Sequence, residues 1–423
     1  MKILVIGSGG REHAICYVFQ RSPRVEKVYC ANGNAGIASI AELVDIKPDE
    51  IDRLAEYAEH EGIDLTFVGG ETALALGIVD VFESRGLRII GASNAAARLE
   101  ASKSVAKDFM QRHGVPTANY AVAASPAEAI EILESGRFGD ASTPVVVKAD
   151  GLAAGKGVVV ARDRSEAIEA INELESLVGA EAASTIVLEE CLFGREVSLI
   201  LFADGESFSL MPPTRDHKRI GEGDTGPNTG GMGTFTDDAL LTAVQTEEIV
   251  EKIVRPTLKG CVNDGFPFRG ILFLGLMMTD AGPKTLEYNV RFGDPETQAI
   301  LVRLETDLVD ICEAMLEGRL AETEIKWRAG SSACVILAAE NYPAKPRSGD
   351  AINGLAAAEA REDVVVFHSG TKLNEGKEFL TAGGRVLGVT AVGDDLAAAL
   401  EIAYAAAAEI SWPGMQFRRD IGK

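Results

Sequence analysis

Three things are scarce in this 423-residue chain. No stretch approaches the roughly 18 to 20 consecutive apolar residues that a membrane span needs, so no membrane partner is expected. Cysteine is sparse and unpaired. Cys16, Cys30, Cys191, Cys261, Cys312 and Cys334 are scattered with no Cys-x-x-Cys spacing, several inside apolar runs. They read as small core residues in a reducing compartment rather than as zinc ligands, and a cytoplasmic protein is expected. Positive charge is also short, with 41 Lys and Arg against 64 Asp and Glu and a net charge of −23. So acidic a surface repels nucleic acid, whose binding rests on phosphate neutralisation. A nucleotide-sized anion is still held wherever backbone amides and a few cations gather, so the places where basic residues cluster are informative. The chain opens Met-Lys-Ile-Leu-Val-Ile, directly into a strand, and no signal or transit segment is expected. Its length predicts two to four domains, and 46% apolar residues with mean hydropathy +0.08 read as globular.

Residues 1 to about 100 alternate strand and helix signals. Short apolar strands are expected at Ile3 to Ile6, Lys27 to Cys30, Leu65 to Val68 and Arg88 to Ile90, with helices at 12–21, 50–61 and 73–85. This pattern predicts an open parallel sheet with ligands at the carboxyl ends of its strands. Three loops fall there. Gly7-Ser-Gly-Gly-Arg-Glu-His13 enters a helix, but Glu12 stands where a dinucleotide fingerprint needs its third glycine, and no acid is placed for a ribose diol. A single phosphate suits these amides better than NAD or FAD. Asn32-Gly-Asn-Ala-Gly36 can close over the same anion. In Gly69-Gly-Glu-Thr72, Glu71 reads equally as a helix-start acid or as a site residue.

Further on, Lys103 and Lys107 lie one turn apart on a helix expected over Ser104 to His113 and can face a nucleotide, although most exposed lysine pairs face only water. The run Pro144 to Val160 fails as a P-loop. Three residues rather than four separate Gly151 from Gly155, Gly157 follows Lys156 where Ser or Thr is required, and the context is strand-loop-strand. A β-hairpin flap with a Gly-rich tip fits better, its amides folding over phosphates while Lys148 reaches the α- or β-phosphate. At Thr185 to Ser198, strand-bend-strand, the backbone and Glu189 can meet an adenine edge and Glu196 the ribose hydroxyls; acids at strand ends are also common without such roles. Pro212 to Gly233 is the longest irregular run, and such loops are usually functional. Within it Arg215, Lys218 and Arg219 form the densest basic cluster of the acidic chain, beside Asp216 and His217. It reads as a handle for an anionic substrate beside a Gly-rich lid.

The most chemistry per residue lies in Thr285 to Gln298. The apolar run Gly270 to Met278, a turn at Asp280 to Pro283 and a second strand at Thr285 to Val290 predict a buried hairpin. Glu287 and Asn289, two apart, leave the same face. A carboxylate beside a carboxamide oxygen suits Mg2+ on a nucleotide's phosphates. Arg291 follows, its planar fork suited to a carboxylate or phosphate. Pro295 is expected at the first position of the next helix. A strand-rich last domain follows, with strands at Ser331 to Ala339, 363–368 and 385–392, a helix at 395–410, and His368 read as structural.

Together these features resemble an ATP-grasp ligase, and more narrowly the phosphoribosylamine–glycine ligase (glycinamide ribonucleotide synthetase) family. The resemblance runs the length of the chain. It is most specific at Gly7 to His13, Gly33 to Gly36, Asp216 to Arg219, Gly226 to Gly233 and Arg291 to Gln298. Two loops depart from the family's usual reading: Gly69-Gly-Glu-Thr-Ala-Leu74 keeps Glu71 but lacks the usual prolines, and Asn32 stands where Pro is usual. The resemblance implies an α/β chain of three parts: an amino-terminal sugar-phosphate domain with an open parallel sheet (1–101), an ATP-grasp domain (102–325, lid about 120–190) and a carboxyl-terminal mixed α/β domain (326–423). It implies that ATP, glycine and 5-phosphoribosylamine give glycinamide ribonucleotide, ADP and phosphate through glycyl phosphate, with Mg2+ or Mn2+ on Glu287 and Asn289. ATP is then held by Lys103, Lys107, Lys148, Gly151, Gly155, Lys156, Gly157, Glu189, Glu190 and Glu196. Arg291 orients glycine's carboxylate and Asp216 faces its ammonium. The sugar phosphate falls to Gly9, Gly10, Arg11, Glu12, Asn34, Ala35, Gly36 and Lys218. Glu71, Asn228, Gly230, Gly231, Gly293 and Asp294 complete the substrate wall. A monomer, or else a dimer, is expected.

Overall fold

The computed structural model describes residues 1–151 and 157–423. The first hundred residues form a five-stranded, all-parallel sheet in the order Glu42–Val44, Lys27–Asn32, Lys2–Gly7, Leu65–Val68, Ile89–Ile90. Its central strand is apolar from Ile3 to Ile6 because both faces are covered: Leu4 and Ile6 pack into one core, Ile3 and Val5 into another. The edge strand Glu42–Val44 was not expected from the sequence; it is three residues long, with Glu42 and Leu43 exposed and only Val44 buried. The helix expected over 73–85 is two helices, Glu71–Ala75 and Ile78–Ser84, broken at Gly77 with φ +83°.

A small lobe follows, an antiparallel sheet ordered Tyr120–Ala123, Ile186–Glu190, Val145–Ala149, Val158–Ala161. Helices Pro126–Glu134 and Arg164–Val178 cover one face, each started by a side-chain cap, Ser125 to the amide of Glu128 and Asp163 to that of Glu166. The lobe has a core of its own around Val147, Ile171, Leu174 and Ile186. Val145–Ala149 and Val158–Ala161 pair as the two sides of a hairpin, while its tip, with Gly155 and Lys156, lies outside the described residues.

The large sheet runs Gly282–Asn289, Arg269–Thr279, Arg195–Asp204, Thr214–Asp216, Gly233–Thr236, Ser331–Ala338, Arg385–Gly393, Val364–His368, with Phe208–Leu210 beside Arg195–Asp204. It passes without a break from the central part of the chain to the last hundred residues through the antiparallel pair Gly233–Thr236 and Ser331–Ala338. Side chains near residue 385 are thereby placed beside those near 216 and 294. The stretch 212–233, read from the sequence as irregular, is organised: Arg219–Gly221 and Thr225–Asn228 form a two-stranded hairpin turning through Gly223 and Asp224, both at positive φ. Strands this short and rich in Gly and Thr leave no periodic signal.

Candidate active site

The small lobe and the edge of the large sheet face each other across a cavity of about 390 Å3. On the lobe side, Lys103 and Lys107 come from the helix Lys103–Arg112 and Lys148 from the strand Val145–Ala149. Glu189 joins them. Rather than standing at the bend, it lies within the strand Ile186–Glu190, and its buried carboxylate bridges Lys107 Nζ at 2.8 Å and Lys148 Nζ at 2.7 Å. Lys107 also donates to Thr117 Oγ1 at 2.7 Å. Burial lowers Lys107 to about 8, with Glu189 pulling the other way, and burial lowers Lys103 as well. Lys103 Nζ reaches the carbonyl of Gly151 at the foot of the flap (3.1 Å). Gly157 lines the cavity. Glu190 points elsewhere, to Lys284 (2.9 Å) and Asn119. Glu196 lines a small adjoining recess, 3.9 Å from Lys218 Nζ.

The opposite wall is the strand Gly282–Asn289. Its register against Arg269–Thr279 slips by one: Gly275 faces Glu287, but Leu276 faces Thr285. Leu286 is the extra residue of a bulge, and bulges re-aim side chains. Leu286 and Glu287 in succession, then Asn289, all line the cavity. Glu287 is 3.6 Å from Lys218 Nζ. Burial works against its charge, but Lys218, Lys148 and Lys103 hold its carboxyl below the ordinary range. Glu287 in turn raises Lys218, against burial.

Beyond Asn289 the guanidinium of Arg291 is heavily engaged. It donates to Glu71 (3.1 Å), the carbonyl of Phe292 (3.1 Å) and Asn289 Oδ1 (3.3 Å), and pairs with Glu100 at 2.6 Å. Glu71 is therefore both a first-turn acid and a site residue. Burial pushes its carboxyl up, yet Arg291 and Arg11 bring it down to about 2. Arg11 lines the cavity and is fixed by Glu12 (2.6 Å) and the carbonyl of Phe292 (3.1 Å). Glu12 also accepts from the amide of Gly9 at 2.6 Å. Gly10 packs so closely on Gln298 and Ser369 that a Cβ there would lie 2.6 and 2.7 Å from their side chains. Asn34 is spent on backbone: it donates to the carbonyls of Ser8 and His368 and accepts from the amides of Gly36 and Ile37. Ala35 and Gly36 lie against Thr371 and His368. His368 receives no solvent, its ring on Thr371 Oγ1 and its amide on His13 Nδ1.

The third wall carries a pair of carboxylates, Asp216 at the end of Thr214–Asp216 and Glu296 at the start of the helix Glu296–Leu301. Among the described residues neither stands within ion-pair distance of a lysine or arginine, and Asp216 Oδ1 is buried without a hydrogen-bond partner. Burial, first of all, raises both; Glu296 lifts Asp216 further and Asp294 lifts Glu296, while Lys218 with Arg385 pulls Asp216 down and Lys218 with Arg291 pulls Glu296 down. Gly231 and Gly293 leave room for them; a Cβ would sit 2.7 Å from Asp216 Oδ1 in one case and 2.4 Å from Glu296 Oε2 in the other. Asp294 is held by Gln298 (2.7 Å) and Arg385 (3.2 Å), and Arg385 donates also to the carbonyls of Gly230 (2.5 Å) and Asp294 (2.6 Å). Asn228, Gly230, Gly293 and Asp294 line the cavity with them. Pro295 precedes the helix rather than opening it.

Sequence reasoning missed Glu100, Glu296 and Arg385. Glu296 sits inside the Arg291–Gln298 motif and was readable as a candidate. Glu100, in an Ala-rich helix, and Arg385, in the last domain, carry no local signal.

A cavity with three lysines on a hairpin-bearing lobe and a Glu-x-Asn strand opposite defines a two-sheet nucleotide clamp of the ATP-grasp class. The same architecture occurs in the biotin carboxylase domain of Hydrogenobacter thermophilus 2-oxoglutarate carboxylase, solved with MgADP, at TM-score 0.73 over 98% of this chain and 91% of that one, with 16% identity. The family models are specific: phosphoribosylglycinamide synthetase N domain over residues 1–100, its ATP-grasp (A) domain over 101–297 and its C domain over 332–423. The chain belongs to the phosphoribosylglycinamide synthetase family. It is 46% identical to the phosphoribosylamine–glycine ligase of Ralstonia nicotianae over 100% of this chain and 99% of that protein, and 44% identical to that of Caldanaerobacter subterraneus at the same coverage. The crystal structure of phosphoribosylamine–glycine ligase from Thermotoga maritima matches at TM-score 0.86 and 33% identity, covering both chains completely.

Proposed function

We infer that this chain is an ATP-dependent ligase joining glycine to 5-phosphoribosylamine, giving glycinamide ribonucleotide, ADP and phosphate in de novo purine biosynthesis. The observation that carries the reading at the level of residues is the continuity of one cavity. Lysines fit for phosphates and a carboxylate pair fit for an ammonium line the same cavity, together with Lys218 and Arg291.

A carboxylate and an amine do not condense in neutral water, because the carboxylate lacks a leaving group. Transfer of the γ-phosphoryl group to glycine's carboxylate gives glycyl phosphate; the ribosylamine attacks its carbonyl, and phosphate departs. The protein's part is positioning, charge neutralisation and exclusion of water. Lys103, Lys107 and Lys148 neutralise phosphate oxygens, ATP competing with Glu189 for the last two. Asp216 and Glu296 face the ammonium of glycine, and the remaining N–H of Arg291 reaches its carboxylate. Arg11 and Lys218 on the cavity wall, with the Gly9–Gly10 turn and the Asn34–Gly36 loop behind Arg11, serve the sugar phosphate, so residues 1–101 share that substrate with Lys218, while 102–325 carry the ATP lysines and the groups for glycine. Glu287, held ionised, and Asn289 offer two hard oxygens on the cavity wall. Such a set suits Mg2+ or Mn2+, which Glu287 and Asn289 would hold. Such an ion would supply positive charge beside the transferring phosphate.

All six cysteines are free, which supports a reducing, cytoplasmic setting. The test is ADP release with phosphoribosylamine present. It is expected to require glycine; release that instead requires bicarbonate or formate would overturn the assignment.

A further inference from the structure

The last residues of the chain close on the loop that carries Lys218. Arg418 is 1% exposed, yet it is a guanidinium. Its Nε and Nη2 donate to the two carboxylate oxygens of Asp420, each at 2.7 Å. Its Nη1 donates to Asp224 Oδ1 at 2.6 Å and to the carbonyl of Arg219 at 3.2 Å. Asp420 Oδ2 also accepts from the amide of Gly223 (2.7 Å), and the amide of Arg419 donates to Glu222 Oε1 (3.2 Å). Each residue of the turn 222–224 is thus tied to one of residues 418–420. The tail is itself anchored by Tyr404, whose hydroxyl donates to the carbonyl of Arg418 and accepts from the amide of Ile421, both at 3.0 Å.

A hairpin of this size is not stable alone. Its ladder is irregular between Arg219 and Gly221, and its turn carries positive φ at Asp224 as well as at Gly223. Its position is therefore imposed from outside, and Arg418 is the group that touches both its turn and its first strand. The consequence reaches the cavity in one peptide unit. Arg219, whose carbonyl Arg418 holds, follows Lys218, and the carbonyl of Lys218 is held by Thr229, just past the other strand, through its amide at 2.7 Å and its hydroxyl at 2.9 Å. With both ends of this short segment fixed, Lys218 Nζ is aimed at Glu287 (3.6 Å). The loop behaves as a preset wall rather than a free lid.

We propose that Arg418 is a positioning residue for the ligase reaction: the carboxyl-terminal tail clamps the 219–228 hairpin and so sets Lys218 and Asn228 on the substrate side of the cavity. This rests on the assignment of that side to phosphoribosylamine. The experiment compares Arg418→Met, Arg418→Lys and Asp224→Asn by steady-state kinetics and by trypsin digestion of the ligand-free protein, which reads the bonds after Lys218 and Arg219. Arg418→Met is expected to raise KM for phosphoribosylamine about tenfold, since small misplacements of a positioned group cost that much or more. KM for ATP is expected to stay within about twofold, because the lysine lobe is untouched. Asp224→Asn, an exposed change that spares folding, shifts KM in the same direction by less, and Arg418→Lys falls between wild type and Met. Both loop bonds become faster trypsin sites in the Met and Asn variants. Unchanged phosphoribosylamine KM with wild-type trypsin resistance overturns the proposal; so does a parallel rise in KM for ATP with a lowered Tm, the sign of a merely structural role. Should the wild type show no phosphoribosylamine-dependent ADP release, the functional reading fails, while the digestion still reports on the clamp. Should Arg418→Met not fold, the Asp224→Asn kinetics and digestion decide alone.

Discussion

Lys107 and Glu189 form an ion pair of 2.8 Å with both side chains only 2% exposed, on the wall proposed to hold a nucleotide's phosphates. A buried pair contributes little net stability, but removing one partner strands the other charge at a cost of about 3–5 kcal/mol. Glu189 also holds Lys148, so its carboxylate keeps two ammoniums together when no phosphate is present.

Glu189→Gln is therefore expected to lower the urea midpoint sharply and to raise KM for ATP. Lys107 stands at about 8 with Glu189 supporting its charge; without that support it drops further and is neutral over more of the working range. In the wild type, kcat/KM for ATP should fall as pH rises through about 8. In the variant the same fall should begin at lower pH. An unshifted pH profile would remove Lys107 from the phosphate site.

A second expectation concerns acid stability. Glu71 is held at about 2 in the folded chain, against an ordinary value of 4.5. Between these values the unfolded chain binds more protons, so stability rises with pH there. The contribution is present in full above about 4.5 and is lost as pH falls toward 2. Its side chain is 32% exposed, so solvent screening trims the benefit to roughly 1–3 kcal/mol. Glu71→Gln should cost about that much by urea unfolding at pH 7 and almost nothing near pH 2. Equal losses at both pH values would mean that the side chain acts through packing instead.

Much of this site is written in the local sequence, and the remainder is written in topology. Period-two spacing alone puts Glu287 and Asn289 on one face, and the failure of Gly151–Gly157 as a P-loop leaves a hairpin, whose two strands pair as expected. The bulge at Leu286 has no such signature, because register depends on the partner strand. The bridging place of Glu189 depends on two lysines 82 and 41 positions away in sequence, whose convergence is a property of the folded lobe. Arg385 is legible only once the sheet is seen to continue from Gly233–Thr236 into Ser331–Ala338. The edge strand Glu42–Val44 is too short and too polar to read in advance.

Arg291 invites a third test, and the choice of substitution matters. Its removal leaves Glu100, 2.6 Å away and buried, without a cation, so Arg291→Ala should be destabilised by several kcal/mol for reasons unrelated to substrate. Arg291→Lys keeps a charge beside Glu100 but loses the planar fork. In that variant KM for glycine should rise at least about tenfold while KM for ATP stays within about twofold. An unchanged KM for glycine would remove Arg291 from the glycine site.

The metal assignment makes a fourth prediction. Chelation with EDTA should abolish ADP release, and added Mg2+ should restore it. Glu287→Gln exchanges the one charged oxygen ligand of the proposed pair for a neutral carboxamide oxygen and removes the acid facing Lys218, so half-saturation should need about tenfold more Mg2+. Direct Mg2+-dependent protection against thermal unfolding, measured with ADP, supplies a readout free of turnover. If the variant and the wild type respond to the same Mg2+ concentration in both assays, the ion is held elsewhere.

The pair Asp216 and Glu296 predicts two effects of opposite sign from one substitution. Burial above all, with a small addition from Asp294, raises Glu296 above its ordinary 4.5 against the pull of Lys218 and Arg291, so the folded chain binds more protons than the unfolded one over that interval. Stability is therefore lost as pH rises through it, and the buried carboxylate, only partly offset by those cations, destabilises the ligand-free fold at neutral pH. Glu296→Gln keeps the shape and removes the repulsion. The variant should unfold at higher urea than wild type at pH 7, with the difference vanishing below pH 4.5. Its KM for glycine should rise about tenfold, because the pair proposed to meet the ammonium has lost one of its two acids. Saturating glycine should, in the wild type, recover part of the stability that the variant gains by mutation. A variant that is neither more stable at pH 7 nor weaker for glycine would show that Glu296 carries no charge there, and the ammonium would have to be met by Asp216 alone.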